Sequence, residues 1–321
     1  MVRLSMHLAL FVFLAFDSVS AQETWVTRLT GVTDKIVGVV FSSSKYGWAV
    51  ASGTTTGERL ATTDSGKTWS ATSDPSVTGM QAMYFYNPQI AWMVGTNGRI
   101  KHTTNAGLIW KAQGSVVVAR TLQSVHFANA DVGWAAGYSS SEVFRLPIIL
   151  KTLNGGSTWN VIYSSANIFD SWGVNDIFCY DQNTCWAPGT KRVLRSSNGG
   201  TSWSTDATYE TFNATFFSTA SRGWLVGSNG TIWTSTDGGV SWASHSVFGR
   251  TSLNDVFFVD SLNGWAVGQN GRIVRSTDGG LQWTTEASNT TATLNHIFPG
   301  RDGSIWIAGE NGTLQIGRAH V

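Results

Sequence analysis

Short runs of alternating apolar and polar residues, separated by glycine-rich turns, follow one another along most of this chain. One well-formed unit contains Leu253–Phe258, Gly264–Gly268 and residues 271–274, and it ends at Trp283. Alternation with a period of two predicts half-buried β-strands, and no stretch has the 3.6-residue apolar period of a long helix. The pattern therefore predicts an all-β protein built from units of four short strands.

The unit recurs with a nearly constant spacing. The tryptophans of its second strand are Trp48, Trp92, Trp134, Trp186, Trp224, Trp265 and Trp306, so the intervals are 44, 42, 52, 38, 41 and 41 residues by subtraction. A period of about forty residues with four strands per repeat is typical of β-propeller blades. Seven copies predict a seven-bladed β-propeller.

The last copy lacks an outer strand of its own before the chain reaches Val321. Residues 23–29 carry the outer-strand pattern, with Trp25 at the matching position. We expect this N-terminal strand to complete the last blade, because closure of the ring removes exposed sheet edges. Residues 22–321 are thus predicted to form a single domain, since all-β domains of this length are common.

A turn motif, S/T-x-D/N-x-G-x-x-W, connects the third and fourth strands of six units. Its Asp or Asn side chain can accept hydrogen bonds from nearby backbone NH groups, and its glycine can adopt a positive φ. The motif indicates structural turns rather than catalysis. The turn residues are Asp64, Asn105, Asn154, Asn198, Asp237 and Asp278.

The N-terminal residues have the pattern of a secretory signal peptide. Residues 1–21 contain Arg3, an apolar run over residues 8–16 and a small-residue ending at Ala21. The apolar run is too short to span a bilayer. We therefore expect an exported protein, secreted or lumenal, without stable membrane insertion.

Two further features fit an exported protein. Cys179 and Cys185 flank the connection between the first two strands of the fourth unit, where they could form a disulfide or remain two buried thiols. Asn289 begins an Asn-Thr-Thr sequon between two units and is the best candidate for glycosylation.

A carboxamide occupies the same position of the first strand in six units. These side chains could line the central channel and hold a ligand, or each could bond the backbone of the neighbouring blade. Both interpretations remain open from the sequence. The residues are Gln81, Gln123, Asn175, Asn213, Asn254 and Asn295.

Arg99 and Arg272 follow the same Asn-Gly turn in two different units. Arginines that share a face would suit an acidic protein segment, because guanidinium offers a planar array of donors. Lys and Arg number 21 against 20 Asp and Glu, so no basic field favours nucleic acid. The six histidines show neither metal-ligand nor triad spacing, and we predict no metal and no cofactor.

The repeat 223–242 and the repeat 264–283 resemble the repeat of the photosystem II stability/assembly factor family. The resemblance extends from Trp25 to the C-terminus. It implies a non-enzymatic seven-bladed propeller that binds newly made reaction-centre protein through an arginine-rich face, with Arg99 and Arg272 as binding residues. It also implies the thylakoid lumen, which applies only if the source is photosynthetic.

The turn motif is also similar to the Asp box of sialidases, and residues 144–147 resemble their F-R-I-P segment. That family needs an arginine triad, a Tyr and Glu pair and an acidic residue, and no such set is identifiable here. We therefore expect a monomeric, non-enzymatic scaffold that binds a protein, such as a segment of a membrane protein. The alternative is a secreted carbohydrate-binding or sialidase-like glycoside hydrolase module.

Overall fold

A computed structural model describes residues 25–114, 117, 119–139, 144–165, 172–246, 249–300 and 302–318. In these residues 26 strands form a β-propeller of six antiparallel sheets. The predicted signal peptide, residues 1–21, lies outside the described residues.

Five sheets have four strands and one has six. The first contains β2 (Ile36–Phe41), β3 (Gly47–Ser52), β4 (Gly57–Thr62) and β5 (Ser70–Ser73). The second contains β6 (Met80–Phe85), β7 (Ala91–Gly95), β8 (Ile100–Thr103) and β9 (Lys111–Ala112). The third contains β10 (Arg120–Phe127), β11 (Gly133–Ser139), β12 (Pro147–Thr152) and β13 (Asn160–Ser164).

The fourth sheet contains β14 (Phe178–Cys179), β15 (Cys185–Ser196), β16 (Ser204–Phe217), β17 (Gly223–Gly227), β18 (Thr231–Ser235) and β19 (Ala243–Ser246). The fifth contains β20 (Leu253–Phe258), β21 (Gly264–Gly268), β22 (Ile273–Ser276) and β23 (Thr284–Glu286). The last contains β1 (Val26–Arg28), β24 (Leu294–Pro299), β25 (Ser304–Gly309) and β26 (Leu314–Arg318). Short 3-10 helices lie at Pro75–Val77, Thr96–Gly98, Ser228–Gly230 and Gln269–Gly271.

The all-β propeller is confirmed, but the prediction of seven blades is wrong. The structure has six, because the fourth and fifth repeats, which contain Trp186 and Trp224, share the six-stranded sheet. Strand β16 joins them: it pairs with β15 through Thr205↔Leu194 and with β17 through Thr215↔Leu225. The count of sequence repeats therefore exceeds the count of sheets.

The composition of β16 explains this fusion. Other connections between repeats contain chain-breaking residues such as Pro75, Gly79 or Gly249. Residues 205–211 contain no glycine, proline or asparagine, and three of the seven are threonine. Threonine and tyrosine favour extended backbone, so the strand continues from one repeat into the next. The short interval of 38 residues between Trp186 and Trp224 marks the same place.

The N-terminal strand closes the ring, as expected. Strand β1 pairs antiparallel with β26 through Val26↔Ile316 and Arg28↔Leu314. The Trp25 side chain is 3% exposed, and its indole Nε1 donates a hydrogen bond to Glu286 Oε2 at 2.7 Å. The first strand of the described chain thus supplies the outer strand of the last sheet.

Aromatic stacking contributes to the core between successive repeats. At four junctions the second-strand tryptophan of one repeat stacks on a phenylalanine near the end of the first strand of the next, as in Trp92 with Phe127 at 3.7 Å between ring centroids. Trp306 of the last repeat stacks on Phe41 of the first at 4.8 Å. The contact that joins neighbouring repeats therefore also closes the circle.

The two glycines of the G-W-x-V-G segment are needed for close packing. A Cβ at Gly223 would lie 2.3 Å from the ring of Phe217, and a Cβ at Gly227 would lie 2.0 Å from the carbonyl oxygen of Thr211. Neither position can hold a larger residue without moving its neighbours. The two glycines of the motif are therefore explained by the close approach of neighbouring atoms, and they do not indicate a catalytic role.

Candidate binding faces and the central channel

The antiparallel order of the strands gives the propeller two distinct faces. Turns between the second and third strands of the repeats lie on one face, which we name the arginine face because it carries Arg99 and Arg272. Turns between the third and fourth strands lie on the opposite face, which we name the Asp-turn face. The turn residues Asp64, Asn105, Asn154, Asn198, Asp237 and Asp278 lie there.

The turn residues are engaged within their own turns. Asp64 Oδ1 accepts hydrogen bonds from the Thr68 backbone NH at 2.9 Å and the Thr62 hydroxyl at 2.8 Å. Hydrogen bonds from Thr68 lower the pKa of Asp64 to about 2. The same capping bond from a backbone NH is present at the other five turns, as at Asn198, which accepts from Ser202 at 2.9 Å.

Arg99 and Arg272 occupy equivalent places on the arginine face. Each follows a 3-10 turn whose central asparagine has a positive φ, 58° at Asn97 and 56° at Asn270. Arg99 donates from Nε to the Thr96 carbonyl at 3.2 Å and from Nη2 to the Thr96 hydroxyl at 2.9 Å. Arg272 donates from Nη1 to the Thr285 hydroxyl at 3.3 Å. The two arginines belong to the second and sixth repeats, so they share a face without being neighbours.

Four other arginines divide evenly between the two faces. Arg192 lies over the Trp172 ring at 5.7 Å and Arg250 lines a pocket with Glu210, both on the arginine face. Arg222 instead lies on the Asp-turn side, where its Nη2 donates to the Gly279 carbonyl at 3.1 Å. On that side, too, Nη1 of Arg275 lies 3.9 Å from Oε1 of Glu286. Four of these six arginines, Arg99, Arg192, Arg250 and Arg272, therefore lie on the arginine face.

Two pockets open on the arginine face. One, of about 390 Å³, contains Arg250, Glu210 and His245. The other, of about 470 Å³, contains Thr96 beside Arg99 and also Lys35 and Glu310. Burial lowers the pKa of Lys35, and the nearby Glu310 opposes that shift. Both pockets combine acidic and basic groups.

The aligned carboxamides lie at the arginine-face end of the central channel, but most have protein partners. Asn175, Asn213 and Asn254 each donate from Nδ2 to a backbone carbonyl of the next repeat, at 2.8, 2.8 and 3.0 Å. The other three bond side chains. Gln81 accepts from Lys35, Gln123 donates to the Tyr138 hydroxyl, and Asn295 donates to Glu310. Of the two interpretations from the sequence, hydrogen bonding to the backbone of the neighbouring repeat thus describes three of the six carboxamides.

The central channel holds a second layer that the sequence analysis missed. Three residues before the ends of the first strands, Ser124, Asp176, Asp255 and His296 line a cavity of about 470 Å³. Asp176 accepts from the Ser124 hydroxyl at 2.6 Å and from the Thr215 backbone NH at 2.8 Å. Asp255 accepts from the backbone NH groups of Val256 and Ile297, both at 2.8 Å. Each carboxylate therefore also links adjacent repeats.

Burial changes the protonation of these channel groups. It raises the pKa of Asp255 to about 7, with a contribution from the negative charge of Asp176, and it raises the pKa of Asp176 as well. Burial lowers the pKa of His126 to about 4 and that of His296 to about 3, the latter with repulsion from Lys35. Both imidazoles are thus neutral at pH 7.

A third layer, nearer the Asp-turn face, is aromatic. The first strands place Tyr84, His126, Phe178, Phe216, Phe257 and Phe298 around the channel. Aligning the repeats on the position three residues after the carboxamide would have revealed this ring in the sequence. The same residues also fit the ordinary alternation of a strand, so the sequence pattern alone does not single them out.

Other predicted sites can now be placed. Cys179 and Cys185 form a disulfide across the β14 and β15 hairpin, with 4.1 Å between their Cα atoms. Asn289 is exposed and has a φ of 55°; its glycosylation stays a prediction.

Across the residues covered by the structure, no group of three or more His, Cys, Asp or Glu side chains could hold a metal ion. In the same residues no helix has the length and apolar character needed to cross a membrane.

Comparison with known proteins shows similarity of structure. Neither a family model nor a curated protein sequence matches the chain. A structure of YCF48 bound to D1 peptide is 19% identical, with a TM-score of 0.71, and the match covers 92% of this chain and 97% of that one. YCF48 from Cyanidioschyzon merolae is 18% identical, with a TM-score of 0.70 and coverage of 92% and 99%.

A catalytically inactive virginiamycin B lyase from Staphylococcus aureus with quinupristin is 12% identical, with a TM-score of 0.73 and coverage of 93% and 100%. At these identities the similarities show the fold alone. The chain therefore has a YCF48-like β-propeller fold.

Proposed function

We propose that this protein is a non-enzymatic propeller that binds an acidic segment of a partner protein on its arginine face, in the manner of an assembly or stability factor. The observation that carries the proposal is the pair Arg99 and Arg272, placed on one face by the same turn. A guanidinium group can donate two parallel hydrogen bonds to one carboxylate. Salt bridges of this kind favour acidic peptides and weaken with ionic strength.

The positions of the other charged groups support the choice of this face. Arg192 and Arg250 lie on it, and two pockets beside Arg250 and Thr96 could hold peptide side chains. The opposite face presents turns whose Asp and Asn side chains are already engaged in capping bonds. A solved relative in structure, YCF48, has been captured with a D1 peptide, which makes a peptide ligand a reasonable first probe.

The proposal also includes export and the absence of catalysis. Residues 1–21 have the pattern of a signal peptide, so we place the partner outside the cytoplasm. A lumenal photosynthetic role follows only for a photosynthetic source. A glycosidase would need several catalytic carboxyl and arginine groups in one cleft, and the carboxylates of the channel are instead bonded to backbone NH groups.

A peptide-binding experiment tests the proposal. Fluorescence anisotropy would be measured with labelled 15-residue peptides from membrane-protein loops, graded from acidic to neutral, and with a D1 peptide. We expect acidic peptides to bind and the affinity to fall as salt rises. The double variant Arg99→Glu with Arg272→Glu should weaken binding at least tenfold, because each change replaces attraction by repulsion.

Lys45→Glu with Lys67→Glu is the matched control. Both lysines are exposed on the Asp-turn face, and the change in net charge is the same. The control should retain binding. Equal loss in the two double variants would show a general charge effect and contradict the assignment of the face. Binding of glycans instead of peptides on an array would favour the carbohydrate alternative.

A further inference from the structure

The central channel has the composition of a site for an organic cation. Its cavity, of about 470 Å³, lies within the range of small-molecule sites. It is enclosed by the first strands of every repeat and is separate from the two pockets of the arginine face. The peptide-binding role proposed above makes no use of it.

The aromatic layer forms a continuous wall on one side of this cavity. Ring centroids are 4.8 Å apart between Tyr84 and His126, and 4.7 Å apart between His126 and Phe178. The series continues at 5.6 Å to Phe216 and then at 5.1 Å to Phe257. Successive rings are inclined by 44° to 62°, so the wall curves around the channel. Aromatic walls of this kind attract cations through the negative faces of their rings.

The next layer contains two carboxyl groups, and their ionised form has the matching sign. Asp255 lies two residues before Phe257 on β20, and Asp176 lies two residues before Phe178, the first residue of β14. Two residues of extended backbone span about 7 Å. The imidazoles of His126 and His296 are neutral at pH 7 and add no positive charge. Lys35, whose Nζ donates to Gln81, lies towards the arginine-face end. A cation among the aromatic rings would therefore lie near two carboxylates.

We propose that the central channel binds a monovalent organic cation, a quaternary ammonium group carried on a small apolar body. Aromatic rings replace the weakly held hydration of such a group, and the carboxylates supply long-range attraction. A compact metal ion is a poorer fit, because the carboxylate oxygens already accept hydrogen bonds from backbone NH groups and the Ser124 hydroxyl.

Ligand-observed NMR at pH 8 tests the proposal with choline and its neutral isostere 3,3-dimethylbutan-1-ol. At this pH Asp255, with a pKa of about 7, is mainly ionised. Choline should bind at least tenfold more tightly than the neutral isostere. Phe257→Leu should weaken choline binding at least fivefold, because it keeps an apolar side chain but removes the ring. Asp255→Asn should also weaken it.

Tyr209→Leu is the matched control, since Tyr209 is 99% exposed and does not line the cavity. It should leave choline binding unchanged. Phe216→Leu provides a second ring variant if Phe257→Leu does not fold. Equal binding of choline and its isostere, no saturable binding of choline, or unchanged binding in both ring variants would each overturn the proposal.

Discussion

At the level of single residues, position in the first strand decides the environment of each side chain. Three consecutive layers of the channel are carboxamide, then small, acidic or histidine, then aromatic, as in Asn254, Asp255 and Phe257. The sequence alignment of the repeats could predict the carboxamide layer. The hydrogen-bond partners of these carboxamides could not be predicted, because they depend on bulges in the first strands, such as the register shift between Leu253 and Asp255.

The channel histidines lead to a prediction about acid stability. The neutral Nδ1 of His126 accepts a hydrogen bond from the Cys179 backbone NH at 3.3 Å, and burial lowers its pKa to about 4. An unfolded chain protonates this group near its usual pKa of 6.5. The unfolded state therefore binds more protons between pH 6.5 and 4, and the folded protein loses stability as pH falls through that range.

Replacing His126 by phenylalanine should reduce that loss. The residue found in other repeats at this position, as at Phe178, does not titrate. Urea unfolding of His126→Phe between pH 7 and 4 should show a pH-dependent loss of stability smaller by up to about 3 kcal/mol, because the pKa of His126 falls from 6.5 to about 4 on folding. Asp255, with its raised pKa, acts in the opposite direction in both proteins and cancels in the comparison.

Tyr84→Phe is the control for this effect. It removes the hydroxyl that donates to the Phe127 carbonyl at 2.7 Å, a bond that does not titrate between pH 4 and 7. It should change stability by the same amount at every pH. A pH dependence of His126→Phe identical to that of the unmodified protein would contradict the buried, neutral imidazole.

At the level of elements, the turn motif and the strand pattern were enough to place most strands. One exception is the boundary between the fourth and fifth repeats. Strand β16 continues through the boundary between two repeats because residues 205–211 contain only residues compatible with extended backbone. Counting tryptophans could not reveal this, since Trp186 and Trp224 keep their equivalent positions whether or not the sheets fuse.

The second glycine of G-W-x-V-G gives a prediction at this level. A Cβ at Gly227 would lie 2.0 Å from the Thr211 carbonyl oxygen and 2.8 Å from the Phe212 Cα, and both are backbone atoms that cannot rotate away. Gly227→Ala should therefore lower the free energy of unfolding by about 2 kcal/mol or more. Chemical denaturation followed by tryptophan fluorescence would measure it.

Gly114→Ala is the matched control. No atom lies within 4 Å of a Cβ built at Gly114. Its effect should stay within about 0.5 kcal/mol. Similar destabilisation by the two alanines would mean that glycine flexibility, rather than the close approach at Gly227, determines the cost.

At the level of the whole molecule, closure of the ring was predictable because the missing outer strand had a sequence counterpart at the other end of the chain. The number of sheets was not, because it depends on hydrogen bonding across one repeat boundary. The assignment of faces follows from the antiparallel order of the strands within each sheet and does not depend on the count of sheets. The first strands line the channel, and β1, as the outer strand of the last sheet, closes the ring around it.

Hydrogen exchange of β26 tests this closure most directly. Strand β26 is paired on both sides, with β25 and with β1, whereas β5 (Ser70–Ser73) is an outer edge. Mass spectrometry of the unmodified protein should show slower deuterium uptake in residues 314–316 than in β5. Trp25→Ala, which removes a buried anchor next to β1, should accelerate uptake in residues 314–316. Uptake there as fast as in β5, and unaffected by Trp25→Ala, would contradict a ring closed by the N-terminal strand.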